Sequence, residues 1–236
     1  MENTRKKFLK QLLVGASAVP VVLNACSKKE SNDTKEESGG CKVSPEETDG
    51  PYPLYNSRGS SIQRIDITDG KTGITLNITI NILNTNNNCN PLPNARVDIW
   101  HCDKDGYYSG YSNRGYLGNQ DNTALVFCRG LQYAEANGQV KFKSIYPGWY
   151  EGRVTHIHAQ VYVDSKLKKT TQIAFPDEIN TAVYKTSLYS AHGQNTGVPS
   201  NKADSIIGDS LAAELATVTA NDAGGYDLVH NIYVAG

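Results

Sequence analysis

Ile74-Thr75-Leu76-Asn77-Ile78-Thr79-Ile80-Asn81-Ile82 alternates apolar and polar residues at every step. Successive side chains of a strand point to opposite faces, so this period of two predicts a strand over 73–83 with one face in a core. Its β-branched residues suit a pleated surface. Working outward, Thr85-Asn86-Asn87-Asn88 turns the chain, and Ala95, Val97 and Ile99 begin a second strand that ends near Trp100-His101. Asp103-Lys104-Asp105-Gly106 and Pro147-Gly148 are turn signals. Between them, Val140 and Phe142 alternate with Lys141 and Lys143 after Asn137-Gly138. Further strands are expected over 154–163, from Thr170 to Phe175, and from Asp227 to Val234 behind Gly224-Gly225. Only Ser210 to Val218 has good helical composition. The sum predicts an all-β protein, an antiparallel β-sandwich with long active-site loops and little helix.

The chain has 236 residues and a formal net charge of −1. That balance argues against nucleic acid as a partner, because phosphate binding needs a strongly basic patch. Arg5, Lys6, Lys7 and Lys10 precede an apolar stretch from Leu12 to Leu23. The stretch is shorter than the ~20 residues that span a bilayer, and it has the shape of an export signal over residues 1–25. It ends in Leu23-Asn24-Ala25-Cys26, which resembles a bacterial lipobox. An acylated Cys26 would anchor the exported protein to a bacterial membrane, on its periplasmic face or at the cell surface. Thr4 to Lys10 is similar to a twin-arginine export motif with lysine in place of the second arginine. Residues 26–40 read as the lipidated cysteine and a flexible tether. The globular domain is expected over 41–236, long enough to bury a core.

Cys41, Cys89, Cys102 and Cys128 remain within that domain. An even number in an exported chain suggests disulfides or buried thiols, and no CxxC spacing points to metal. Four cysteines allow three connectivities. Cys41 and Cys89 both lie outside the expected strands, which favours pairing them.

Within 154–163, Ile157, Ala159, Val161 and Val163 share one face, and His156, His158, Gln160 and Tyr162 the other. Residues i and i+2 of a strand carry Cβ atoms roughly 6–7 Å apart, given a rise of about 3.3 Å per residue. Two imidazoles so placed can reach one ion, or can simply be exposed polar residues. His101, His192 and His230 have no such partner in the sequence and read as structural.

The segment Pro147-Gly148-Trp149-Tyr150-Glu151-Gly152-Arg153-Val154-Thr155-His156-Ile157-His158 resembles the signature of the intradiol ring-cleavage dioxygenases. Val97-Asp98-Ile99-Trp100-His101 with Asp105-Gly106-Tyr107-Tyr108-Ser109 is similar to that family's first-tyrosine strand and loop. Glu47 to Tyr52, Phe127 to Gly130, Asn137-Gly138 and Thr170 to Ile173 match further segments in the same order. The resemblance implies a β-sandwich holding one non-haem ferric ion through two tyrosines and two histidines. By position these are Tyr108, Tyr150, His156 and His158, with Tyr107 the competing choice for the first. Hard phenolate oxygens suit Fe(III), and imidazoles complete the sphere. The implied reaction opens a small aromatic diol with O2 between its two hydroxyl-bearing carbons, giving a muconate-type diacid. Arg153 is implied to stabilise charge developing on the substrate, Gln172 to position the substrate, and Tyr150 to leave the metal and take a proton. Trp149 is open between pocket wall and ordinary packing.

Arg153 lies three residues before His156, an odd offset, so an ideal strand needs a bend or bulge near Val154 for the guanidinium to reach the histidine face. The interval from Tyr150 to His156 is shorter than in the well-known catechol and protocatechuate enzymes, which predicts a more open pocket. The helical linker domain of the catechol enzymes has no counterpart here. Both differences leave the particular catechol and the oligomeric state open. Two other readings remain: a catalytically silent lipoprotein that keeps the ligand site, and an HxH zinc hydrolase. The latter is weakened because no acidic residue beside the histidines reads as a general base.

Overall fold

The computed structural model describes residues 41–53 and 62–236. The expected leader (1–25) and the Cys26 anchor with its tether (26–40) lie outside the described residues. Among the described residues, eleven strands and two short helices follow in chain order: β1 (Thr75–Asn84), β2 (Asn90–Pro91), β3 (Arg96–Trp100), β4 (Ser112–Gly115), β5 (Gly118–Asp121), β6 (Arg129–Tyr133), β7 (Gln139–Ile145), β8 (His156–Val163), β9 (Lys166–Ala174), α1 (Asp177–Val183), α2 (Leu211–Glu214), β10 (Thr217–Ala220) and β11 (Tyr226–Val234). One sheet runs β10-β11-β1-β2 with β7 also paired to β1, a second runs β6-β3-β8-β9, and β4-β5 is a separate hairpin.

The alternation of β1 does what the sequence predicts. Leu76, Ile78, Ile80 and Ile82 are buried and join Val97, Ile99, Ile157, Ala159 and Val161 of the second sheet in one core. Burying each such side chain stabilises by roughly 1.5–3 kcal/mol. The other face of β1 is polar, where Asn77 and Asn81 donate to Asp227 and Asn231 across the β1–β11 ladder. That ladder is parallel, from Leu76 opposite Tyr226 to Asn84 opposite Val234. It departs from the otherwise antiparallel pairing, because β11 reaches β1 from the far end of the chain rather than through a hairpin.

Two local expectations change. Of Ser210–Val218 only Leu211–Glu214 is helical. The β-branched residues Thr217, Val218 and Thr219 pair with β11 instead, and the Ala216 amide bonds the Ala174 carbonyl of β9. The longer helix is α1, whose start Pro176-Asp177-Glu178 places proline and two acidic residues at a helix N-terminus.

Cys41 and Cys89 form the disulfide expected from their loop positions, and Cys102 and Cys128 are buried thiols. The bridge closes a loop of 48 positions; in the chain-entropy model a loop of this size is worth roughly 4 kcal/mol.

Candidate metal centre

The site grows from β3 and β8, neighbours in the second sheet. Trp100 of β3 lies opposite His158 of β8, and Gln172 of β9 lies opposite His158 on the other side. The Trp100 indole stacks on the His158 ring, centroids 5.0 Å apart and planes 4° apart. On the open side Gly50 presses so close that a Cβ there would sit 2.9 Å from His158 Cε1. Gly50 also has φ +68, so only glycine suits the position.

His156 and His158 are both buried, and their Nε2 atoms stand 3.1 Å apart. His156 Nδ1 donates to the Val154 carbonyl at 2.7 Å, which leaves its Nε2 as the lone-pair nitrogen. Burial, with Arg153 adding to it, lowers His156 to about 3. Burial first, then the His156 and Arg153 neighbours, hold His158 well below the ordinary imidazole value. Both rings are neutral at pH 7, the state in which an imidazole binds metal.

The tyrosines come from loops. After β3 the chain turns at Gly106, whose φ is +85 and where a Cβ would meet the Trp149 carbonyl at 2.6 Å. Tyr107 then points away and donates its hydroxyl to the Gly118 carbonyl. Tyr108 points inward, its backbone amide and carbonyl both clasped by the Asn113 side chain. Of the two candidates, Tyr108 is the ring that stands against Tyr150 (5.6 Å) and His158 (6.1 Å). Its hydroxyl is buried and has no hydrogen-bond partner among the described residues. Tyr52 packs on its ring at 5.0 Å, and the Arg129 guanidinium lies 5.9 Å away. Burial raises the Tyr108 phenol well above its ordinary value.

Tyr150 sits in the β7–β8 loop. Gly148 makes that path possible, since a Cβ there would lie 2.4 Å from the Lys104 carbonyl. The half-buried Tyr150 ring stands edge-on to His156 at 5.7 Å. Burial raises its phenol and the Arg153 guanidinium opposes that shift.

Arg153 reaches the site because the chain bends at Thr155, next to Val154, as its odd offset from His156 requires, through a loop rather than a bulge. β8 begins only at His156, so Arg153 lies in the loop and strand parity does not govern it. The register shift in β8 falls instead between Val161 and Tyr162. The Arg153 guanidinium donates from Nη2 to Gln172 Oε1 at 2.5 Å and from Nε to Asp204 Oδ2 at 2.9 Å. Gln172 in turn donates to the Thr48 carbonyl. Asp204 was invisible to motif reading: it is a lone acidic residue 51 positions after Arg153, with nothing around it to mark a role.

A cavity of about 550 Å³ lies outside Tyr150, lined also by Trp149, Tyr116, His192, Arg114 and Glu151. His192 is stacked between Trp149 (4.1 Å) and Tyr116 (5.1 Å). It therefore belongs to a pocket wall, which its isolation in the sequence did not suggest, and Trp149 is part of the same wall. His101 keeps its structural reading, with its ring nitrogens at the Cys102 carbonyl and the Ser144 hydroxyl.

Among the described residues no three His, Cys, Asp or Glu side chains gather as a metal site. The side chains beside the two imidazoles that could help hold a metal are the Tyr108 and Tyr150 phenols.

A family profile described as dioxygenase matches residues 50–205. A catechol 1,2-dioxygenase of Acinetobacter baylyi is 34% identical over 101 residues, 35% of this chain and 30% of that protein, so the chain spans under a third of the curated relative. An intradiol ring-cleavage dioxygenase from Tetranychus urticae superposes with a TM-score of 0.70 at 27% identity, covering 82% of this chain and 95% of that one. The dioxygenase domain of a carbohydrate-binding fusion from Streptomyces sp. SirexAA-E shares the fold, with a TM-score of 0.58 at 24% identity over 81% of this chain and 97% of that one. With the profile, the sandwich and the ordered motifs in agreement, this chain belongs to the intradiol ring-cleavage dioxygenase family.

Proposed function

We propose that the protein is a non-haem Fe(III) intradiol dioxygenase, its iron held through Tyr108, Tyr150, His156 and His158, that opens a catechol-type aromatic with O2 to a muconate-type diacid. The observation that carries this reading is the convergence of two neutral imidazole nitrogens 3.1 Å apart with a buried, partnerless Tyr108 hydroxyl. The donor set fits the ion. Two donors at ~2.1 Å from one centre, roughly 90–110° apart, are separated by ~3.0–3.4 Å. The buried phenol is costly as it stands, since an unsatisfied polar group loses its solvation without gaining a partner. When bound, a ferric ion supplies the charge that holds both phenols as phenolates and polarises the diol.

The chain's own residues divide the remaining work. Trp100 and Gly50 fix the plane of His158, and Val154 fixes the tautomer of His156. Tyr150, half-buried between the histidines and the cavity, is placed to take the proton of an arriving diol hydroxyl. Arg153, itself buried, faces the charge that builds on the ring. Gln172 holds Arg153 and borders the substrate side of His158.

Protein from the native host should carry about one ferric ion per chain, show the visible colour of ferric tyrosinate, and convert at least one catechol of a small panel to a ring-opened diacid. Stoichiometric zinc in a colourless protein that opens no catechol overturns the reading.

The same proposal places the domain outside the cytoplasm, tethered by acyl chains on Cys26. Cys26→Ser should then release the protein from the membrane fraction; continued sedimentation with membranes would locate the anchor elsewhere.

A further inference from the structure

Gln172 and a side-chain hydrogen bond with Tyr150 account for one side of the Arg153 guanidinium. Its other side is held by a residue from a distant, irregular segment. Asp204 follows a short 3-10 turn at Asn201–Ala203, and its side chain is fully buried. One oxygen, Oδ2, accepts from Arg153 Nε at 2.9 Å and from the Val154 amide at 3.0 Å. The other, Oδ1, accepts from the Ile206 and Ile207 amides at 2.9 and 3.1 Å and more weakly from Arg153 Nε at 3.2 Å. The carboxylate is thus saturated by donors, and it fastens Arg153 and the residue after it to the 204–207 turn.

A buried arginine on a loop has many rotamers, and a function that needs its planar fork in one place needs something to select that rotamer. Gln172 supplies a single contact, to Nη2. Asp204 supplies the charge partner and, through the Val154 amide, fixes the backbone from which the Arg153 side chain springs. The same amide bond precedes the Val154 carbonyl that orients His156.

We propose that Asp204 is a positioning residue for the ring-cleavage reaction: it acts through Arg153, locking the guanidinium against the substrate face of the centre. This rests on the function proposed above, in which Arg153 faces developing negative charge. The hydrogen bonds of Asp204 go to Arg153 and to the Val154, Ile206 and Ile207 amides, and its charge reaches Tyr150 and His156 only through space.

The consequence is non-additivity. Asp204→Asn has one oxygen where the site has donors on both sides, so its amide must turn a donor toward either Arg153 Nε and Val154 or the 206–207 amides. Turnover should fall by ~10–100-fold, the range for removing a partner that orients a functional side chain. The loss should be in kcat with KM little changed, and with iron content and visible colour retained. In an Arg153→Ala background, Asp204→Asn should cost no more than about a further twofold, because residues acting as one unit do not add.

The experiment is this cycle on the full iron-loaded chain, reading ring cleavage, iron content and the visible band for wild type, both single variants and the double variant. Should Asp204→Asn fail to give soluble protein, Asp204→Ser, which keeps an acceptor for the turn amides, enters the same cycle. Losses that multiply in the double variant, or an unchanged kcat in the single one, overturn the inference while leaving the dioxygenase reading intact. Absence of any ring cleavage by the iron-loaded wild type overturns the dioxygenase reading itself.

Discussion

The four proposed ligands come from two kinds of backbone. His156 and His158 stand on β8, an inner strand with β3 on one side and β9 on the other. Tyr108 and Tyr150 stand on loops whose course depends on Gly106 and Gly148. The strand-borne pair is set by a period of two and locked by ladder hydrogen bonds and the Trp100 stack. The loop-borne pair is set by turns, and Tyr150 borders the cavity. For the proposed centre the difference implies a division of labour: the strand would fix where a metal sits, and a loop residue next to the pocket would be free to change partner. Rigid elements give precision, whereas loops give the freedom that exchange requires.

The largest effect should come from the strand. His156→Ala or His158→Ala should abolish iron binding, because a sealed strand position offers neither another donor nor easy entry for one. Tyr150→Phe should keep iron while losing or shifting the visible band, since the adjoining cavity admits a small replacement ligand. Metal analysis and a visible spectrum on each purified variant check this. Iron retained in His158→Ala but lost in Tyr150→Phe would reverse the comparison.

Next comes the residue between the two kinds of backbone. Arg153 lies just before β8 and is held from both flanks by Asp204 and Gln172. Arg153→Ala should retain iron and colour but lose ~10²–10³ in turnover, the cost of removing one electrostatic partner from a developing charge. Arg153→Lys should restore little, because an ammonium cannot bond Asp204 and Gln172 as a planar fork does. Unchanged turnover in Arg153→Ala would show that the guanidinium does not serve the reaction.

How much of this was legible in the sequence follows the same divide. Strands β1 and β8 are readable because burial of one face imposes alternation, and the HxH pair is readable because alternation puts both rings on one side. Tyr108 over Tyr107 could be chosen from the resemblance alone; the physical reason, Tyr107 being drawn off by the Gly118 carbonyl, appears only in three dimensions. The bend expected near Val154 is there at Thr155, but the strand was expected to start at 154 and starts at His156, since strand ends are where periodicity says least. Asp204, His192 and the Trp100 stack were out of reach because each depends on long-range pairing. A carboxylate or an imidazole in an irregular segment has no local pattern to announce its partner. The parallel β1–β11 ladder was hidden for the same reason, as adjacency across 150 positions leaves no mark on either strand.

The smallest effect tests how the edge of the site sheet is held. β9 has β8 on one side only, and its outer edge is covered by chain segments rather than by a strand. The Glu47 amide bonds the Thr170 carbonyl, the Ala216 amide bonds the Ala174 carbonyl, and Glu214 Oε1 lies 3.4 Å from the Gln172 amide. Ser210 donates to Glu214 Oε2 at 2.7 Å. Burial pushes Glu214 up to about 7, with Glu47 adding to the rise and the Ser210 bond opposing it. In the unfolded chain the same group titrates near 4.5. Between those two values the folded protein keeps a proton that the unfolded chain has released. Stability from this group is therefore full below about pH 4.5 and declines as pH rises toward 7. Glu214→Gln keeps one oxygen for the Gln172 amide and turns a donor toward the Ser210 hydroxyl, as a protonated carboxyl would, but cannot ionise. Its Tm should match the wild type near pH 4.5 and exceed it by several degrees at pH 8. A tenfold difference in proton affinity between the folded and unfolded chain is worth about 1.4 kcal/mol, and each kcal/mol moves Tm by ~2–4 °C. Taking the difference between the two proteins cancels the other groups that titrate in this window, His101 and Asp98 among them. A Tm difference that stays flat from pH 4.5 to 8 would mean that Glu214 ionises freely in the folded protein, and that the edge of β9 is open to water.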